Sequence, residues 1–196
     1  MCPRVARSFV EGSGCPLAAA AFYTYEHAPM TQPRVLHLLR HAKSSWDDQG
    51  LADHNRPLAS RGRKAAKRIA KHLRSEGIAP SLVLCSSSRR TRETLERIRP
   101  DGDVQIERDL YGASAPELLE RLRRVPDTTE SVMLIGHNPA IQDLTLELAG
   151  RGDRLEDAER KFPACALATL ELSNGWSELE AGSAELVGFV RPKDLT

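Results

Sequence analysis

Two histidines of this sequence each follow a short apolar run of the kind that forms a buried strand. Arg40 and His41 come directly after the run at 35–39, and His137 comes shortly after the run at 131–135. A neutral imidazole nitrogen can attack phosphorus. A guanidinium binds phosphoryl oxygens through paired hydrogen bonds and does not lose its charge. These residue types, in these positions, indicate phosphoryl transfer.

A third segment supplies further cationic side chains. Arg90 follows another apolar run, at 81–85, within a cluster of arginines. Ligands of open α/β sheets bind at the carboxyl ends of the strands, so we expect Arg90 to lie near His41 and His137. The sequence contains no glycine-rich phosphate-binding loop. We therefore predict that arginines neutralise the phosphoryl charge, and that the protein uses no metal or other cofactor.

The elements that must position these residues alternate between strands and helices. Apolar runs predict the strands, and apolar residues that recur every three to four positions predict the helices. The order β-α-β-α-β-α-β-α-β-β is typical of a three-layer α/β/α sandwich with a mostly parallel central sheet. The predicted strands span 35–39, 81–85, 104–107, 131–135, 166–172 and 185–190, and the predicted helices span 60–76, 89–98, 114–123 and 139–149.

Capping residues mark where several of these helices begin. Ser60 and Asn138 are predicted N-caps, and Ser114 with Glu117 has the pattern of a capping box. Gly150 is predicted to close the helix that Asn138 opens.

Composition restricts the possible partners. Lys plus Arg is 28 and Asp plus Glu is 27, so the formal charge of +1 excludes attraction of the whole molecule to nucleic acid or to an anionic membrane. Aromatic residues make up only 5% of the chain, few for stacking on bases. No apolar run reaches the roughly 18 residues of a membrane-spanning helix. We predict neither a nucleic-acid nor a membrane partner.

The chain of 196 residues has the length of one domain. Residues 1–32 are rich in small residues and have no periodic pattern, so we predict a disordered extension there, with Met30 as an alternative start, and a single domain over 33–196. The four cysteines are scattered and form no C-x-x-C pair. This pattern favours a reducing compartment, and we predict the cytoplasm.

Several motifs at predicted strand ends resemble those of the histidine phosphatase (phosphoglycerate-mutase-like) superfamily. They are LRH at 39–41, RTRET at 90–94 and GHNP at 136–139. The stretch DHNRPL at 53–58, together with the short length, is similar to the SixA-type phosphohistidine phosphatase branch. The resemblance covers residues 34–150 well and the remainder weakly. It implies the phosphoglycerate-mutase-like form of the α/β/α sandwich, as one catalytic domain.

The resemblance also implies a role for each matching residue. His41 would be the nucleophile that becomes phosphohistidine, and His137 would stabilise the transferring phosphoryl group. Arg40 and Arg90 would hold the phosphoryl oxygens.

Three more residues are implied to bind the substrate. Arg56 would be a further phosphate contact, and Asp53 would orient Arg56 or assist proton transfer. Asn138 of the GHNP motif completes this set.

The sequence departs from the family at two points. Ala42 stands where the superfamily usually has glycine, which would cost about 1 kcal/mol if the position required a positive φ. The usual glutamate general acid has no clear counterpart, and three carboxylates lie near the expected place: Glu107, Asp109 and Glu117. A missing acid matters less for a P–N bond, whose nitrogen can be protonated before it leaves. The preferred substrate is therefore protein phosphohistidine or another phosphoramidate, carried by a phosphorylated protein or a small phosphorylated molecule.

Three alternatives stay open at this point. One is a phosphatase of small phosphoesters such as sugar or nucleotide phosphates. The second is a metallohydrolase with His41, His137 and Asp53 as ligands, and the third is a non-catalytic phosphate-binding module. The basic run between residues 56 and 74 is either the solvated face of a helix or a docking surface for an acidic phosphoprotein. The sequence makes no prediction of the oligomeric state.

Overall fold

A computed structural model of the protein describes residues 33–195. The predicted extension at 1–32 and the alternative start at Met30 lie outside the described residues. Within those residues the strands are β1 (Arg34–Arg40), β2 (Leu82–Ser86), β3 (Asp103–Glu107), β4 (Ser131–Gly136), β5 (Ala149–Arg151), β6 (Leu167–Leu172) and β7 (Ala184–Val190). The α-helices are α1 (Ser60–Ser75), α2 (Arg89–Ile98), α3 (Ala115–Arg123), α4 (Ala140–Leu148) and α5 (Leu155–Arg160).

The strands form one sheet in the order β3-β2-β4-β1-β6-β7-β5. The pairs β1–β4, β2–β4, β2–β3 and β5–β7 are parallel, and β6 is antiparallel to both β1 and β7. The prediction of a mostly parallel sheet is confirmed. Because β1 and β4 are neighbours and parallel, their carboxyl ends meet, with Arg40 paired to Gly136.

Alternation along the strands divides the apolar core between the two faces of the sheet. In β1, Leu36 and Leu38 belong to a cluster formed with α3 and α4, whereas Leu39 belongs to a second cluster formed with α1 and α2. All three leucines are fully buried. Since each face of the sheet buries apolar side chains against helices, the predicted three-layer sandwich is confirmed.

Two elements of the second half of the chain were not predicted. The predicted helix over 139–149 ends at Leu148, and β5 begins at Ala149 where Gly150 had been expected to close the helix. This strand forms because Ala149 pairs with Ala184 of β7, which is distant in sequence. The helix α5 buries only Ala158, so it lacks the apolar periodicity by which helices are recognised.

The helix starts confirm one capping prediction and contradict another. Ser114 and Glu117 form the capping box of α3. Ser60 is not the N-cap of α1 but its first residue. Ala59 takes the N-cap position, because its main-chain N–H donates to the Lys43 carbonyl oxygen (2.9 Å). The start of α1 is thus fixed by the segment that follows His41, rather than by a side-chain cap.

Gly62 allows α1 to pack against this same segment, and the substitution Gly62→Ala tests the contact. A Cβ at this position would overlap the Lys43 carbonyl oxygen and lie 2.9 Å from the Lys43 nitrogen. We expect G62A to lower the free energy of unfolding by about 2 kcal/mol, because backbone has to move, although alanine normally favours a helix by about 1 kcal/mol over glycine. Urea denaturation measures the change. The exposed substitution K64A on the same helix is the control and should stay within about 0.5 kcal/mol of the parent protein. A G62A protein as stable as the parent would contradict the close packing.

Candidate active site

The carboxyl ends of β1 and β4 bring the two predicted histidines together. His41 follows β1 and donates its main-chain N–H to the Gly136 carbonyl oxygen at the end of β4 (3.0 Å). The ring centroids of His41 and His137 lie 5.0 Å apart, with 54° between the ring planes. Two imidazoles at this separation can contact one phosphoryl group.

The main chain fixes the proton on the ring of His41. Its Nδ1 lies 2.7 Å from the Ala42 carbonyl oxygen, which can only accept a hydrogen bond. Nδ1 therefore carries the proton, and Nε2 keeps a free lone pair. Burial is the main reason that the pKa of His41 is lowered to about 4. The hydrogen bond to Ala42 raises this pKa, and the charges of Arg90 and Arg40 lower it further. The ring is therefore neutral at pH 7.

His137 is held from both of its ring nitrogens. Its Nε2 lies 2.8 Å from Ser86 Oγ and its Nδ1 lies 3.4 Å from Arg90 Nη2. Because a guanidinium only donates, Nδ1 accepts and the Nε2–H points to Ser86. Burial, then the neighbouring His41 and Arg90, lower the pKa of His137 to about 3. Ser86 was not predicted as a partner of His137; its position at the end of β2 is the only sequence signal for it.

Arg90 is the arginine of its cluster that faces the histidines. It is 8% exposed, and it donates from Nη1 to the Asp53 carbonyl oxygen (2.6 Å) and from Nη2 to Asp53 Oδ2 (2.9 Å). Its neighbour Arg89 is exposed and pairs with Glu93 instead. The structure thus places Arg90 where the sequence predicted it, beside His137.

Asp53 has a different principal partner from the predicted one. Its carboxylate bonds Arg90, and the expected Arg56 lies farther away, with 3.9 Å between Arg56 Nε and Asp53 Oδ1. Tyr111 donates its hydroxyl to Asp53 Oδ2 as well (2.9 Å). Burial alone would raise the pKa of Asp53, but the hydrogen bonds from Tyr111 and Arg90 and the nearby positive charges outweigh it, so the pKa is lowered. Asp53 is therefore an ionised anchor for Arg90.

Tyr111 and His54 are site residues that sequence reasoning missed. The Tyr111 ring meets His137 edge-on at 5.6 Å and His54 at 4.7 Å. The Nε2 of His54 also lies 3.0 Å from Ser87 Oγ. The hydrogen bond from Tyr111 joins residues 58 positions apart. No local pattern could reveal such a long-range contact.

Arg56 lies near Asp53, but its main contacts are with other residues. Its guanidinium stacks over the Trp46 ring at 4.0 Å, and Nη1 donates to the Asp48 carbonyl oxygen (3.2 Å). The residue is only 8% exposed, and its Nε has no hydrogen-bond partner among the described residues. Its predicted contact with phosphate stays a prediction.

Arg40 and Asn138 share an anchor in the segment before β6. Arg40 donates from Nη1 to the Phe162 carbonyl oxygen (2.6 Å), and Asn138 donates to Gln142 Oε1 (3.0 Å) and to Phe162 (3.4 Å). The prediction that Asn138 caps α4 is wrong: Pro139 holds the N-cap position. The Asn138 side chain instead ties the GHNP turn to the segment that holds Arg40. Its predicted substrate contact stays a prediction.

The replacement of the family glycine by Ala42 does not strain the loop. Among the described non-glycine residues only Arg99 and Cys165 have a positive φ. Ala42 is fully buried, and its N–H donates to Thr94 Oγ1 (3.0 Å). The cost considered for a left-handed alanine therefore does not arise.

The three candidate general acids have other environments. Glu107 forms an ion pair with Arg121 (2.7 Å), and Glu117 belongs to the capping box of α3. Asp109 lines a surface groove with both of them. Asp53 is instead the carboxylate whose charge acts on both histidines.

The described residues also bear on the rival classes. Between residues 33 and 195 no group of three or more His, Cys, Asp or Glu side chains is arranged to hold a metal ion, so the ligand set of His41, His137 and Asp53 is not formed. In the same part of the chain, no helix combines the length and the apolar character needed to cross a membrane.

Comparison with known proteins identifies the family. The sequence profile of the histidine phosphatase superfamily (branch 1) matches residues 36–111. An uncharacterized protein of Mycobacterium tuberculosis is 38% identical over 159 residues, which cover 79% of this chain and 100% of that protein. An uncharacterized chloroplastic protein of Arabidopsis thaliana is 32% identical over 205 residues, 95% of this chain and 90% of that one. The chain belongs to the histidine phosphatase superfamily.

Solved structures assign this histidine phosphatase to the SixA-type branch. A protein from Nakamurella multipartitia is 30% identical with a TM-score of 0.72, over 81% of this chain and 96% of that one. A protein from Agrobacterium tumefaciens is 30% identical with a TM-score of 0.68, over 81% and 98% of the two chains. Both bear the name phosphohistidine phosphatase SixA. The predicted family, branch and phosphoglycerate-mutase-like fold are confirmed, and the protein is a phosphatase.

The adjacent pair Arg89 and Arg90 provides a matched test of the site. We expect R90Q to lower kcat/KM for p-nitrophenyl phosphate about a hundredfold, because a buried charge-assisted bond is worth roughly 1.5–3 kcal/mol. R89Q makes the same change on the exposed side of α2 and should stay within about twofold. Equal losses in the two variants would show that Arg90 has no special place in the site.

Proposed function

We propose that this phosphatase hydrolyses protein phosphohistidine or another phosphoramidate through a phosphohistidine intermediate on His41. The observation that carries the proposal is the state of the His41 ring. Its Nδ1 proton is committed to the Ala42 carbonyl oxygen, so the lone pair of Nε2 is free, and the ring of His137 lies 5.0 Å away.

The first step forms one bond and breaks one bond. The Nε2 lone pair of His41 attacks phosphorus in line, and the P–N bond to the leaving group breaks with its electron pair on the departing nitrogen. Guanidiniums of Arg40 and Arg90, with Arg56 farther out, neutralise the phosphoryl oxygens. His137 stabilises the same group. Water then attacks phospho-His41, which releases inorganic phosphate and restores the free ring.

The charge state of Asp53 favours a P–N substrate. Alkyl esters need a proton on the leaving oxygen, and a carboxylate that binds Arg90 and Tyr111 with a lowered pKa is a poor donor at neutral pH. The nitrogen of a phosphoramidate can take its proton from solvent before departure. The names of the Nakamurella and Agrobacterium proteins support the same substrate class.

We also propose a cytoplasmic location. Cys85 and Cys165 are free and buried, and burial raises the pKa of both thiols to about 12. Unreactive, unpaired thiols are consistent with a reducing compartment.

Trapping the phosphorylated enzyme tests the intermediate. We expect rapid quenching with a phosphohistidine substrate to give a mass increase of one phosphoryl group, mapped to His41. H41A should show neither the adduct nor turnover. H72A, which changes a histidine in the last turn of α1, should show both. An adduct on another residue, or turnover by H41A, would refute the assignment.

A substrate panel separates this proposal from its alternatives. We expect phosphoramidate and phosphohistidine to give kcat/KM values at least about a hundredfold above those of sugar and nucleotide phosphates, because only the esters require a strong acid. The reverse order would make the protein a small-phosphoester phosphatase. Tight phosphate binding without hydrolysis of any compound would make it a binding module.

The pH dependence follows from the neutral state of His41. Since the unprotonated ring is the nucleophile and its pKa is lowered to about 4, kcat/KM falls only as the pH drops through that value, well below the ordinary 6.5. Rates are to be corrected for the separately measured ionisation of the substrate. R90Q should move the acidic limb upward, because the Arg90 charge helps to keep the ring neutral. An enzymatic limb at 6.5 in the parent protein would contradict this picture.

A further inference from the structure

A large cationic groove opens beside Arg40. Its cavity has a volume of about 890 Å³, far larger than a phosphoryl group. Seven of its eleven lining residues are Lys or Arg, and the lining contains no Asp or Glu. The chain as a whole has a charge of only +1, so this concentration of one sign is local.

Most of these cations are not neutralised by the fold. Arg160 pairs with Asp157 (2.6 Å), and Arg191 pairs with Asp194 (2.8 Å). The remaining cations other than Arg40 form no ion pair within residues 33–195 and are exposed: Lys43, Arg61, Lys161 and Lys193. An anionic ligand could therefore bind them without displacing an internal partner.

Four separate segments build the groove. Lys43 lies in the loop after β1, and Arg61 lies on α1. Lys161 follows α5, and Lys193 lies in the last turn of the described chain. The helix α1 contacts that turn, because Arg68, two helical turns after Arg61, donates a hydrogen bond to the Pro192 carbonyl oxygen (3.4 Å). The basic run of α1 thus contributes one face to the groove.

Arg40 joins the groove to the active site. Its charge acts on the pKa of both His41 and His137, and the same residue lines the groove. A ligand in the groove would therefore lie beside a residue that is proposed to hold the phosphoryl group.

We infer that this groove binds an acidic polypeptide segment next to the phosphorylated histidine of the substrate protein. The inference rests on the proposed function and names the partner of that site. The lining contains no Trp, Tyr or Phe, so the groove has no platform for stacking a nucleobase. Its uncharged members are Ala65, Pro163, Ala164 and Pro192, which are small enough to let a peptide backbone approach the groove wall.

Two triple variants with equal loss of charge test the groove. The groove variant is R61Q/K161Q/K193Q, which leaves Arg40 and Lys43 intact. The control variant is K64Q/K67Q/K71Q, which removes three exposed cations from a different face of α1. The substrates are a phosphohistidine peptide flanked by Asp and Glu, the same peptide with Asn and Gln, and phosphoramidate.

We expect the groove variant to lose about tenfold in kcat/KM for the acidic peptide at low salt, a loss of about 1.4 kcal/mol, as expected for several exposed ion pairs together. Its kcat/KM for the neutral peptide and for phosphoramidate should not change, and the control variant should match the parent with all three substrates. High salt should abolish the difference. If the parent protein hydrolyses both peptides equally well and the groove variant does the same, the groove inference is wrong and the proposed function stands.

Direct binding separates the two failures. The full-length H41A protein, with and without each triple change, is titrated against a fluorescent acidic peptide that carries no phosphate. We expect about tenfold weaker binding for the groove variant alone. This result supports the groove inference even if the protein does not hydrolyse phosphohistidine. A failure to hydrolyse phosphohistidine counts only against the proposed function. The inference is overturned if the peptide does not bind. It is also overturned if a single-stranded oligonucleotide of the same charge binds the groove more tightly than the peptide.

Discussion

The parallel pairing of β1 with β4 is the constraint on which the site depends. The pairing sets Arg40 opposite Gly136, so that the residue following each strand is a histidine and the two rings meet. A shift of one residue would turn every side chain of the strand to the opposite face of the sheet. The alternation of Leu38 and Leu39 between two apolar clusters prevents such a shift. The apolar core thus determines where the two histidine rings are placed.

Burial and positive charge together set the chemistry of the two imidazoles. Removal from water disfavours their charged forms, and the guanidiniums of Arg40 and Arg90 act in the same direction. The ionised Asp53 balances part of this charge while holding Arg90 in place. What remains is a pair of neutral imidazoles in a positive environment. A phosphoryl group supplies the negative charge that such a site lacks.

The sequence predicted the residues at strand ends better than the contacts between loops. The order of apolar runs was sufficient to bring His41, Arg90 and His137 to one edge of the sheet, because parallel topology makes this placement automatic. The partner of Asp53 and the hydroxyl of Tyr111 were not predicted, since loop conformation decides them. The strand β5 was missed because it forms by pairing with β7, which is remote in sequence, and the helix α5 was missed because it has no apolar periodicity.

The carbonyl oxygen of Phe162 connects two parts of the chain that are distant in sequence. It accepts the hydrogen bond of Arg40, yet it belongs to the late stretch of the chain, beyond residues 36–111 where the family profile matches. This late stretch holds Arg40 through one main-chain oxygen, which any amino acid provides. Because the acceptor is main chain, the hydrogen bond that holds Arg40 does not depend on which side chain stands at position 162.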